Sequence, residues 1–242
     1  MSETLLRLDD VTVRRGSSIV LKNLHLELKQ GQLVLLNGAN GAGKSTIIEV
    51  AAGLLPLESG EVRHHNALLI DASGRSKRPN HAFGLTLQSD GCIGSQRVEE
   101  HLLNAMDLTD GRVDVTPWLE RYNLLHRRHD LVAHLSGGQR RKVAMLAGIL
   151  PGFVGEQAKL ILLDEPGAGL DEASRAKLVE DLHALRKRGH ALLLASHHAD
   201  FVACATDVFN GNEMIPNDVR ESEPLPHHDT KTDAVRKHVA IR

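Results

Sequence analysis

Apolar positions change their period along the chain, and the changes mark its elements. Residues 4–13 and 19–28 carry strand-like apolar patterns, and in Leu24-His25-Leu26-Glu27-Leu28 apolar positions alternate with polar ones. Each stretch predicts a half-buried strand, with a turn at Arg15-Gly16-Ser17-Ser18. Residues 32–37 (QLVLLN) form a short apolar run that ends at glycines, the pattern of a buried strand. Ile47, Ile48, Val50, Ala51 and Leu54 then recur at helical spacing, predicting a helix from about Gly43 to Leu54 that Gly53 and Pro56 terminate.

Residues 60–71 and 82–87 read as two more strands, joined by a polar loop, DASGRSKRPNH. From 97 to 153 the pattern is helical, in three pieces: VEEHLLNAM, TPWLERYNLL and SGGQRRKVAMLAGIL. Thr116 before Pro117 has the form of an N-cap followed by proline at the first helical position. The runs KLILL (159–163) and ALLLA (191–195) read as buried strands, and the helix ASRAKLVEDLHALRKR between them stops at Gly189. That βαβ unit makes the two strands parallel. Beyond about residue 211 the chain turns polar and proline-bearing, which predicts a loose tail.

Three segments carry chemistry. Gly38-Ala39-Asn40-Gly41-Ala42-Gly43-Lys44-Ser45 fits G-x-x-x-x-G-K-[ST] between a buried strand and a helix. Glycines let backbone N–H groups curl round phosphate oxygens, and the helix N-terminus adds partial positive charge. Lys44 supplies a mobile ammonium to the β/γ-phosphates, and the Ser45 hydroxyl suits Mg2+. Asp164 and Glu165 follow the strand Leu160-Ile161-Leu162-Leu163, the edge where open α/β sheets bind ligands. Asp164 is placed for a metal shell and Glu165 to polarise a water; the plainer alternative is two solvated loop acids. Leu135-Ser136-Gly137-Gly138-Gln139 opens an amphipathic helix, with Ser136 as N-cap and glycines baring N–H groups. It is either a second anion site or a capped helix with no ligand.

Together these segments resemble the ATP-binding-cassette (ABC) ATPases, over residues 4 to about 210. Gly38–Thr46 looks like the Walker A loop, Gln88 the Q-loop glutamine, and Ser136, Gly137, Gly138 and Gln139 the signature. Leu160–Pro166 resembles Walker B, Asp171 the D-loop aspartate and His197 the switch histidine. The resemblance implies an α/β fold of the P-loop type: a mixed sheet with an antiparallel β subdomain, a RecA-like core, and a helical lobe inserted at about 89–150. It implies ATP with Mg2+, the metal held by Ser45, Gln88 and Asp164. Lys44, Gln88, Glu165 and His197 would act in hydrolysis. Two copies would pair head to tail, each ATP lying between one Walker A loop and the other copy's signature. A separate transmembrane permease would make the chain a peripheral protein on the cytosolic face of the membrane. The competing member class is a soluble ATPase that drives assembly of a protein complex, of the iron–sulfur type. A catalytically dead scaffold is disfavoured by the presence of Lys44, Asp164, Glu165 and His197.

The chain departs from the family at several places. An aromatic ring expected near the end of the first strand is replaced by Val13-Arg14-Arg15-Gly16, so Arg15 or Arg14 would face the base, with weakened base discrimination. Ala168 stands where serine is frequent, and His198 follows His197 in place of aspartate. An extra loop, PGFVGEQA, is expected on the surface, and Arg140-Arg141-Lys142 on a solvated helix face.

Composition narrows the reading further. The net charge is −2 and aromatics make up 2%, which disfavours nucleic acid as a partner. Two cysteines exclude a disulfide framework, and no stretch approaches 18 uninterrupted apolar residues. The N-terminal segment lacks the pattern of a secretory signal, so a cytosolic location is expected. Fifteen histidines include adjacent pairs at 64–65, 197–198 and 227–228. Neighbours on a strand point to opposite faces, so His64-His65 is a poor chelate.

Overall fold

The computed structural model describes residues 2–89 and 91–210; the expected polar tail lies outside the described residues. Nine strands and six α-helices follow one another among them: β1 (Thr4–Arg15), β2 (Ser18–Lys29), β3 (Leu33–Asn37), α1 (Lys44–Ala51), β4 (Ser59–His64), β5 (Ala67–Asp71), β6 (Gly84–Thr86), α2 (Val98–Asn104), α3 (Thr116–Arg121), α4 (Gly137–Ile149), β7 (Leu160–Asp164), α5 (Glu172–Lys187), β8 (Ala191–Ala195), α6 (Ala199–Val202) and β9 (Asp207–Asn210).

The strands form two sheets. The first is antiparallel, in the order β2-β1-β4-β5; the second is parallel, in the order β6-β7-β8-β3-β9. Alternation within the buried strands divides the interior in two. Leu160, Leu162, Leu193, Val34 and Leu36 face α1 and the antiparallel sheet in one core. Ile161, Leu163, Leu192, Leu194, Leu33 and Leu35 face the helices α2–α5 in the other. A run apolar at every position is therefore required, because both faces of this sheet are covered.

Several sequence expectations are corrected. Residues 60–71 are not one strand: His65 and Asn66, at φ 45° and 60°, turn the chain between β4 and β5. Two successive positive φ values are what a tight hairpin turn demands, and asparagine tolerates them. The strand at 82–87 shrinks to Gly84–Thr86. Thr116 is not the cap of α3. It is the first helical residue, and its N–H donates to Asp114 Oδ1 at 2.9 Å.

The PGFVGEQA loop is on the surface only at Gly155, Glu156 and Gln157; its first half packs inward. Leu150–Phe153 form a 3-10 turn in which Pro151 and Gly152 are buried, as are Val154 and Ala158. A Cβ on Gly152 would stand 2.5 Å from a Leu185 methyl, so this segment packs on α5. Its apolar residues find core surface that no local pattern reveals. His190 anchors it: Nδ1 accepts the Lys159 N–H at 2.9 Å, and Nε2 lies 2.5 Å from the Gly152 carbonyl. The ring is therefore neutral with its proton on Nε2. Finally, β9 is an unforeseen edge strand beside β3, with Thr206 Oγ1 donating to the Leu33 carbonyl at 2.9 Å.

Candidate active site

The sheet order brings four loops to one edge. β6, β7, β8 and β3 are neighbours and parallel, so their carboxyl ends align. Gln88 follows β6, Asp164 ends β7 with Glu165 next, Ser196 and His197 follow β8, and the glycine loop follows β3. A cavity of about 300 Å³ lies there, lined by Val20, Gln88, Asp164, Glu165 and the loop from Asn40 to Thr46. The location obeys the general rule for open parallel sheets.

The loop's shape depends on glycine. Gly41 and Gly43 have φ of 83° and 85°, a region costly for other residues. Gly43 is also tightly packed, since a Cβ there would lie 3.1 Å from a Leu21 methyl. Lys44 is buried, and its Nζ donates to the carbonyls of Gly38 at 2.7 Å and Ala39 at 3.0 Å. The ammonium is held inside the ring of the loop, pre-placed for an anion.

Asp164 is the electrostatically stressed member. It is buried, and its Oδ1 has no hydrogen-bond partner. Burial raises its pKa, and a hydrogen bond from Ser45 works the other way. Glu165 and Glu49 add to the rise. A buried, unpaired carboxylate oxygen is costly unless something positive occupies the site.

Glu165 is held in a rarely adopted backbone conformation, φ 47°, which costs roughly 1–3 kcal/mol for a non-glycine residue. The surroundings fix it. Its N–H donates to the Ala195 carbonyl at 2.8 Å, and its own carbonyl accepts the Ala168 N–H at 3.0 Å. Its carboxylate takes the Ser196 hydroxyl at 3.2 Å and lies 3.0 Å from His197 Nδ1. Glu165 is nearly buried and His197 is exposed, so the pair spans the cavity wall and the surface. His198 stacks on His197 at 4.4 Å but makes no bond to the glutamate.

Other expected site residues lie elsewhere. Ser136 caps α4 as expected: its hydroxyl accepts the Gln139 N–H at 3.3 Å, and its N–H donates to Gln139 Oε1 at 3.0 Å. Ser136, Gly137, Gly138 and Gln139 do not line the cavity. Asp171 caps α5 by accepting the Ser174 N–H at 2.7 Å, and Lys142 Nζ lies 3.0 Å from its other oxygen. That backbone hydrogen bond, with Lys142 beside it, holds the carboxyl well below its ordinary pKa. Arg15 pairs with Glu49 of α1, and Arg14 donates to Glu58 at 2.9 Å; both arginines are exposed.

The expected solvated face at 140–142 is overturned. All three side chains are partly buried, and Arg141 reaches the carbonyls of Leu87, Gln88 and Glu165. The chain pattern missed Arg141, Ser196 and Val20. Their roles depend on loops that are distant in sequence, which no local spacing records.

A glycine-lined loop with a caged lysine, beside a strand-end aspartate and glutamate, defines a P-loop nucleoside triphosphatase. Comparison with known proteins specifies the family. The family model described as "ABC transporter" matches residues 21–168. The cytochrome c biogenesis ATP-binding export protein CcmA of Sphingopyxis alaskensis is 38% identical over 81% of this chain and 91% of its own length. The zinc import ATP-binding protein ZnuC of Photorhabdus laumondii is 31% identical over 84% of this chain and 73% of its own. The nucleoside import ATP-binding protein NupA of Lactococcus lactis is 30% identical over 85% of this chain, which spans 41% of NupA's length. A solved ATP-binding subunit of an ABC transporter superposes with a TM-score of 0.72 at 26% identity, covering 85% of each chain. The chain belongs to the ABC transporter family and is an ATP-binding, ATP-hydrolysing member of it. Among the described residues no helix is long and apolar enough to cross a membrane.

Proposed function

We propose that this chain powers transport through a separate permease on the cytosolic face of a membrane, by closing head to tail on a second ATP-binding subunit around Mg-ATP. Residues 4–210 would form the ATPase domain. One observation carries the reading. The cavity holds the phosphate loop, Asp164, Glu165 and Gln88, while the capped start of α4 lies outside it. A second anion-binding helix start that cannot serve its own cavity has a use when it serves another copy's nucleotide.

The donor set fits a magnesium ion. Asp164 Oδ1 is buried and unpartnered, Ser45 is its hydrogen-bond neighbour, and Gln88 lines the same cavity. Ser45, Asp164 and Gln88 would hold the ion, which supplies charge neutralisation at the phosphate oxygens. The chain's own residues do the rest. N–H groups from Gly41 to Thr46 and the Lys44 ammonium bind and orient the phosphates. The Glu165 carboxylate orients the attacking water and takes its proton. His197, at its Oε1, steadies the carboxylate and would contact the γ-phosphate. Arg15 would reach the base by releasing Glu49, an exposed pair worth about 0–1 kcal/mol.

The relatives' printed cargoes differ — a nucleoside, zinc, a cytochrome c biogenesis export — and what they share is the ATP machinery. The testing experiment captures partners. A tagged E165Q chain, isolated with ATP after gentle solubilisation, should bring down a multi-span membrane protein. Recovery of a soluble complex alone would replace this reading with the assembly-ATPase one.

A further inference from the structure

Arg141 lies on α4, five residues beyond the capping Ser136, and its planar fork donates to three backbone carbonyls. Nη1 donates to Gln88 O at 2.7 Å and to Leu87 O at 3.2 Å; Nη2 donates to Glu165 O at 3.0 Å. Its stem passes the turn before α5, where a Cβ on Gly169 would stand 3.7 Å from Arg141 Cγ. One side chain thus joins the loop after β6 and the loop after β7 to a single helix. Gln88 and Glu165, whose carbonyls Arg141 holds, both line the cavity. Adjacent Lys142 bonds Asp171 at 3.0 Å, so the same stretch of α4 also grips the cap of α5.

We infer that Arg141 is a positioning residue: it sets Glu165 and Gln88 for hydrolysis and makes their placement follow the position of the α4 helix. A helix whose first turn contacts the other copy's nucleotide then carries that occupancy into its own chain's water-orienting loop. The coupling needs a planar, multi-donor group, because three carbonyls from two loops converge on it. A lysine offers a single ammonium at one point in space. The inference rests on the roles proposed for Glu165 and Gln88.

The test uses the full chain. For R141M, the Kd of a fluorescent ATP analogue with Mg2+ should stay within about twofold of wild type, and KM within about threefold, while kcat falls at least about tenfold. Hydrogen exchange should quicken in peptides covering 84–93 and 163–168 and stay unchanged in β1, β2 and α1. R141K should recover only part of kcat. If R141M does not fold, R141K and R141Q carry the same measurements. Wild-type kcat, full recovery by lysine, or exchange that quickens throughout the chain would each overturn the inference. E165Q in the same assay separates the two ideas. If E165Q hydrolyses at the wild-type rate, the site assignment fails; if E165Q is inactive while R141M is normal, only the Arg141 inference fails.

Discussion

Glu165 is one residue whose backbone, neighbours and chemistry all point to one task. It adopts φ 47°, and Ser196 and His197 hold its carboxylate at the cavity. Glutamine keeps the size and loses the base. E165Q should bind Mg-ATP as tightly as wild type and hydrolyse it about 100-fold or more slowly in a phosphate-release assay. The base is a different matter. The chain's four phenylalanines, one tryptophan and one tyrosine are all placed elsewhere: Tyr122 and Phe201 are fully buried, Phe83 and Phe209 pack on one core, and Trp118 and Phe153 on the other. No aromatic ring lines the cavity among the described residues, so we expect weak selection against guanine. Turnover of GTP should fall within a few-fold of ATP at saturation; a hundredfold preference for ATP would show that another group reads the base.

Elements are held by closeness as much as by pattern. β6 lies so near α4 that a Cβ on Gly84 would stand 1.9 Å from the Gly148 carbonyl, and one on Gly148 would stand 2.0 Å from Thr86 Oγ1. Overpacking of this kind typically costs about 1–3 kcal/mol, more when the backbone itself must move. G84A should therefore lower the urea midpoint by at least that equivalent. It should also reduce ATPase activity, because β6 aims Gln88. A midpoint unchanged within error would mean that α4 shifts freely. The sequence names the helix and the strand here, but not their separation. Glycine at 84 and 148 reads only as weak propensity until the two are seen face to face. The same holds for PGFVGEQA, whose burial is decided by α5 and His190.

At the scale of the whole molecule, two buried histidines set an acid limit. Burial pushes His64 and His190 down to about 4, with hydrogen bonds to the carbonyls of Ala51 and Gly152 working the other way. Their ordinary value is about 6.5, so between pH 6.5 and 4 the unfolded chain binds protons that the folded chain refuses. The stabilisation is complete above pH 6.5 and is lost as the pH falls, by up to about 1.4 kcal/mol per pH unit for each site. Urea unfolding at pH 7, 6 and 5 should show this decline. H190N, which keeps a donor and an acceptor, should remove about half of it and leave the part due to His64. Assembly provides a second test at this scale. E165Q with Mg-ATP should sediment as a dimer and return to monomer without nucleotide. A signature variant, S136R, should block that dimer while leaving nucleotide binding to the single chain intact.

The sequence by itself determined the β3–loop–α1 unit, the β7–α5–β8 crossover, the strand-end acids and the capped start of α4. These rest on periods, glycines and caps acting over a few residues, so their physics is local. Tertiary structure decided the rest. It set the hairpin at His65-Asn66, the edge strand β9, the burial of the 151–154 turn, the ion pairs of Arg14 and Arg15, and the grip of Arg141 on two loops. Each of these depends on which distant carbonyl, carboxylate or apolar face comes within reach once the sheet has formed. That distance is a property of the packed chain and is written in no single segment of it.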